Sequence, residues 1–73
     1  MKQFIFNLRI NADSWLEYYK RPSSTVVART VDGRTVRFAA KHLQKHVGRN
    51  GLEGVFVLTI NQQNDFVSLE RQR

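Results

Sequence analysis

Alternation at period two opens the chain. In residues 3–10, QFIFNLRI, Phe4, Phe6, Leu8 and Ile10 fall on one face, and Gln3, Asn7 and Arg9 fall on the other with Ile5. That is the pattern of a half-buried strand. The period then changes. Over 11–20, Trp15, Leu16 and Tyr19 gather on one side at helical spacing. Asn11 or Asp13 can cap this segment, and Ser14 with Glu17 has capping-box spacing. A short helix is predicted, closed by Pro22 in a Pro22-Ser23-Ser24 loop.

Residues 25–38, TVVARTVDGRTVRF, carry Asp32-Gly33 between β-branched runs, a strong hairpin signal. Burial selects the register. A two-residue loop sets Arg29 opposite Val36 and mixes charge into the apolar face. A three-residue loop, Val31-Asp32-Gly33, pairs Thr30 with Arg34, Ala28 with Val36 and Val26 with Phe38. It turns Val26, Ala28, Val36 and Phe38 inward and Val27, Arg29, Thr35 and Arg37 outward. One residue of slip would reverse every side chain, so the segregated register is expected.

Residues 39–47, AAKHLQKHV, predict a second short helix with Ala39, Ala40, Leu43 and Val47 toward the core and Lys41, Lys45 and Arg49 outside. Gly48 and Gly51 are candidate stops. Residues 52–60, LEGVFVLTI, predict a strand with Phe56, Leu58 and Ile60 on one face. After the polar turn Asn61-Gln62-Gln63-Asn64, residues 66–70 return and set Val67 opposite Leu58 and Leu69 opposite Phe56. Gln72 and Arg73 are expected to fray. The expected fold is a single α+β domain over 1–73: an antiparallel five-stranded sheet, or a small partly open barrel, with two short helices.

Composition narrows the class. A chain of 73 residues makes one domain, and 41% hydrophobic residues supply a core. With no cysteine there is no disulfide framework and no thiolate metal site, which fits a reducing cytoplasm. The longest apolar run, Val55-Phe56-Val57-Leu58, is too short to span a bilayer. The alternating N-terminus is unlike a signal peptide. No membrane association is expected.

Charge changes the picture most. Residues 20–50 hold Lys20, Arg21, Arg29, Arg34, Arg37, Lys41, Lys45 and Arg49 against one acid, Asp32. That stretch carries +7 and the remainder −1, of a whole-chain +6. A basic middle in a near-neutral frame points to an anionic partner. Arg29, Arg34, Arg37, Lys41, Lys45 and Arg49 are the candidate contacts for nucleic acid or another anion. Tyr18, Lys20 and Arg21 form a candidate partner contact, and the other reading of Tyr18 is a core-edge ring. The outward Val27, Val55 and Val57 could instead mark a self-association surface.

Catalytic signals are lacking. His42 and His46 have the i, i+4 spacing of a metal pair, but no third ligand follows and Lys41 and Lys45 oppose a cation. Asp32-Gly33-Arg34 is hairpin chemistry, since nucleotide loops need several glycines opening a helix. No catalytic residue, cofactor or metal is expected, and the reading is not an enzyme.

One resemblance covers nearly the whole chain. Asp32-Gly33-Arg34-Thr35-Val36-Arg37-Phe38, then Leu43, Gly54-x-Phe56-x-Leu58, Asn64-x-Phe66 and Ser68-Leu69-Glu70-Arg71, with Trp15, Leu16, Tyr18 and Tyr19, resemble a family of small uncharacterised gammaproteobacterial proteins, a domain of unknown function. Many members are expected to carry proline where this chain has Ala39. The resemblance implies a bacterial, cytoplasmic, stand-alone domain and supplies no activity or ligand. The leading functional expectation is a small basic module holding nucleic-acid phosphates without sequence specificity. The alternative is an adaptor or regulatory protein that binds an acidic protein or self-associates. Under either reading a monomer or weak homodimer is expected.

Overall fold

The computed structural model describes residues 1–21 and 24–72. The elements run in the order β1 (Lys2–Ile10), α1 (Ala12–Tyr19), β2 (Thr25–Arg29), β3 (Thr35–Ala39), a 3₁₀ helix (Ala40–His46), β4 (Leu52–Ile60) and β5 (Phe66–Arg71). The fold is α+β, with five antiparallel strands in two sheets, ordered β1-β4-β5 and β2-β3. The sheets meet at one corner and do not close into a barrel. There Phe6 bridges Thr30, and the Val31 amide donates to the Ile5 carbonyl at 2.8 Å. No helix among the described residues is long and apolar enough to cross a membrane.

The inward row of β1 meets the inward row of β4 as read from the alternation: Phe6 pairs with Phe56 and Ile10 with Leu52. The Phe6 ring lies 6.0 Å from Phe56 within its own sheet and 5.6 Å from Phe38 of the other sheet. These three rings stitch the two sheets into one core, closed by Trp15, Val26, Val36, Leu43, Leu58 and Leu69. Offset rings at this spacing add to simple area burial.

The first hairpin has the segregated register. Val26 pairs with Phe38 and Ala28 with Val36. Gly33 takes φ 89°, and Thr30 and Arg34 close the loop, the Thr30 amide donating to the Arg34 carbonyl at 2.7 Å. A three-residue loop ending in a left-handed residue fits the twist of the flanking strands.

The second hairpin departs from its expected register. Its loop has the same three-residue form. Asn61 donates its amide to the Asp65 carbonyl at 3.0 Å, Asn64 supplies the left-handed residue at φ 66°, and the Asn61 side chain accepts from the Gln63 and Asp65 amides. Ile60 therefore pairs with Phe66. A bulge at Thr59/Ile60 then moves Leu58 opposite Leu69 and Phe56 opposite Arg71. Val67 is not opposite Leu58; it is the extra residue of the bulge. Reading Asn61–Asn64 as a four-residue loop produced one residue of the two-residue error, and the bulge produced the other. Gln72 does not fray: its amide continues the ladder to the Val55 carbonyl at 2.6 Å. Arg73 lies outside the described residues.

Asn11 caps α1, accepting from the Ser14 amide at 2.8 Å, so the Ser14/Glu17 capping box is not used. The helix buries Trp15 and half-buries Tyr18, while Leu16 and Tyr19 face outward. This corrects the expected apolar side. A two-turn helix docks through one narrow i, i+3 strip, and the neighbouring positions are left in solvent. Pro22, the expected helix stop, and Ser23 lie outside the described residues.

The second helix is 3₁₀, and Ala39 ends β3 instead of starting the helix. At three residues per turn, Ala40, Leu43 and His46 stack on one face. Ala40 and Leu43 are buried and His46 half-buried. His46 thus takes a core-side position that an α-helical reading assigned to Val47, although Val47 still packs against the core from just beyond the helix. Gly48 and Gly51 do not stop the helix. They pair with each other in the turn that starts β4.

Candidate functional site

The cations of the basic stretch separate by their partners. Arg29 and Arg37 stand on the outer face of the β2–β3 ribbon, both exposed. Arg29 pairs with Thr35 and Val27 with Arg37, so the two arginines are diagonal neighbours about 7–8 Å apart. Lys41 follows four residues beyond Arg37, in the first turn of the 3₁₀ helix. Among the described residues, none of Arg21, Arg29, Arg37, Lys41 or Arg49 has a carboxylate within ion-pair distance.

The other candidates are engaged. Arg34 Nε lies 3.4 Å from Asp32, and its guanidinium sits 5.9 Å from the centre of the Phe4 ring. Lys45 Nζ lies 3.5 Å from Glu70, and Lys20 Nζ 3.9 Å from Glu17. These exposed pairs add little stability, yet each acid offsets the local potential of its cation. Asp32 itself is held below the usual carboxylate range, chiefly by the hydrogen bond from the Thr30 hydroxyl.

Arg49 lies in the Gly48–Gly51 turn and lines a separate cavity of about 410 Å³ with Arg9, His46 and Arg71. Lys41 and Lys45, although both exposed, do not form one row. At three residues per turn they stand about a third of a turn apart. The same geometry parts the two histidines. His42 stacks flat on Phe66 at 3.6 Å between ring centres, whereas His46 meets Phe56 edge-on at 5.3 Å. The Nε2–H of His46 donates to the Leu69 carbonyl at 3.1 Å, so its tautomer follows from the acceptor. Burial, helped by neighbouring Lys41, holds the His42 imidazolium pKa below its ordinary value. Phe66 is 39% exposed and serves as the platform for His42.

A second set of residues converges where α1 docks beside the 3₁₀ helix. Trp15, Tyr18, Tyr19, Arg21, Ala40, Lys41 and Gln44 enclose a cleft of about 380 Å³. Trp15 is its buried floor, Tyr18 a half-buried wall and Tyr19 an open rim at 59% exposure. No acid is among the described residues that line it. The cleft joins members of two candidate groups that the sequence kept apart, Tyr18 and Arg21 from one and Lys41 from the other. Sequence reasoning missed Tyr19 and Gln44 as site residues. The adjacent tyrosines were the available signal, but which of them turns outward depends on how α1 docks. The three outward valines do not form one surface: Val27 is on the two-stranded sheet, and Val55 and Val57 are on the three-stranded one.

Comparison with curated proteins and with solved structures finds no match. Comparison with family patterns matches one along residues 2–72, nearly the span of the resemblance read from the hairpin and strand motifs. The chain belongs to that family, described as a protein of unknown function, DUF2835.

Proposed function

We propose that the protein is a non-enzymatic binding module for nucleic-acid phosphates, with Arg29, Arg37, Lys41 and Arg21 as its principal contacts. The observation that carries this reading is the sorting of charge: these four lack a carboxylate partner among the described residues, while Lys20, Arg34 and Lys45 have one. Cations whose potential is not locally offset attract a polyanion most strongly. Arginine adds bidentate phosphate geometry. The diagonal Arg29–Arg37 pair, with Lys41 four residues further along the chain, spreads exposed charge beyond a single point, as backbone binding requires. Nothing on the ribbon resembles a base-reading array, which supports binding without sequence preference.

Fluorescence anisotropy of labelled oligonucleotides across a salt series tests it. Four phosphate contacts correspond to a log–log slope of about −3 to −4. A flat salt response, or no binding at low salt, rejects the reading.

A second reading, an adaptor that self-associates or binds a protein, rests on a different observation. Val31 is 74% and Ile5 36% exposed, and the hydrogen bond from the Val31 amide to the Ile5 carbonyl makes them neighbours at the corner of the sheets. Half-buried Val57 pairs with Ile5 on the same face. Sedimentation over a concentration series separates this reading from a monomeric binder.

A further inference from the structure

We infer that the cleft between α1 and the 3₁₀ helix seats one unpaired nucleotide, so that the protein prefers single-stranded to duplex nucleic acid. This rests on the phosphate-binding reading and adds the substrate class. The cleft offers what an unstacked base and its flanking phosphates require. Tyr19 is exposed at a cleft that the buried Trp15 and the half-buried Tyr18 also line. Every base has a π-face, so aromatic stacking holds single strands with little regard to sequence. Arg21 and Lys41 stand at the same cleft with no carboxylate partner and no acid in the described lining, a complement to phosphates on either side of a seated base. Gln44 adds a donor and an acceptor for a base edge. At about 380 Å³ the cleft falls within the range of small-ligand pockets, about 300–1,000 Å³.

A duplex cannot use this site. Its bases are stacked on their neighbours, and none can enter a pocket or offer its face to an aromatic ring without leaving the stack. It would still meet Arg29 and Arg37 on the ribbon. The two modes therefore separate experimentally.

Trp15 is the only tryptophan of the chain, and its place in the floor makes it a reporter of occupancy. The experiment titrates the full-length protein with a single-stranded DNA oligonucleotide, its RNA counterpart and the duplex of the same sequence, following anisotropy and tryptophan emission together. The expected result is binding of both single strands about tenfold or more tighter than the duplex. Trp15 emission changes only with the single strands. Tyr19→Ala, at an exposed position that leaves the core intact, reduces single-strand affinity toward the duplex value and leaves duplex binding unchanged. Preference for RNA over DNA would assign a contact to the 2′-hydroxyl, and equal affinity would place recognition on base and phosphate alone; both support the inference. Equal binding of duplex and single strand, or a single-strand preference that survives Tyr19→Ala, overturns the inference and leaves the phosphate reading standing. Failure of every probe to bind at low salt overturns both.

Discussion

Gly51 lies so close to the backbone of Ile10 that a Cβ on it would stand 2.1 Å from the Ile10 carbonyl oxygen and 2.6 Å from the Asn11 carbonyl carbon. Gly51 also takes φ 95°. The contact pins the start of β4 to the corner where β1 ends and Asn11 caps α1. The wall of the aromatic cleft is thus placed by a backbone contact remote from the cleft itself.

Gly51→Ala is expected to destabilise the protein by about 3 kcal/mol or more, through overpacking against backbone that cannot rotate away and a left-handed φ. Gly33→Ala is the control. It shares a positive φ but meets no atom within 4 Å, so it should cost only about 1–2 kcal/mol. Urea denaturation of both variants checks the contrast. Equal losses would mean that the Ile10 contact is not what matters.

His46 ties the 3₁₀ helix to the edge strand β5. Its bond to the Leu69 carbonyl and its edge-on contact with Phe56 cover part of an edge that would otherwise be open to pairing with another chain. His46→Ala should cost about 1–3 kcal/mol, since it strands a carbonyl in a half-buried place. The midpoint of denaturation reads this directly, and an unchanged midpoint would remove His46 from the structural account.

The partial burial of His42, helped by the charge of Lys41, makes stability pH-dependent. The folded-state pKa of His42 lies below the unfolded value of 6.5, so the unfolded chain binds the proton first as pH falls. The contribution is complete above the unfolded pKa and is lost as pH falls toward and through the folded pKa. Thermal melts between about pH 5 and 8 should show the melting temperature falling on the acid side. In His42→Phe, which keeps the ring stack without a titrating group, that part of the fall should disappear.

Arg29→Ala with Arg37→Ala alters only exposed positions on the ribbon, so the melting temperature should hold within a few degrees. Nucleic-acid affinity should drop at low salt, and the salt slope should lose about two units. Unaltered affinity with an unaltered slope would exclude the ribbon as the contact surface.

Much of the fold was legible because strand alternation and turn chemistry are local. Phe4 to Ile10, the Asp32-Gly33 hairpin and its register followed from keeping charge out of the core, and Val26 does pair with Phe38. The same logic failed at Val67. There Asn64 plays the left-handed part that Gly33 plays in the first hairpin, and an asparagine announces that role less clearly than a glycine. It failed again at residues 40–46, where Ala40, Leu43 and His46 fit three residues per turn as well as apolar spacing fits an α-helix.

By itself, then, the sequence determined the α+β class, the inward faces of Phe6, Phe38 and Phe56, the first hairpin register and the outward display of Arg29 and Arg37, because each depends on the polarity of near neighbours along one strand or turn. Only the tertiary structure decided which cations keep an acid beside them, which tyrosine faces water and that Arg21 and Lys41 share one cleft. Those outcomes depend on how α1 docks against the 3₁₀ helix. That docking is set by Trp15, Leu43 and the Gly51 contact, groups distant in sequence whose packing no local pattern encodes.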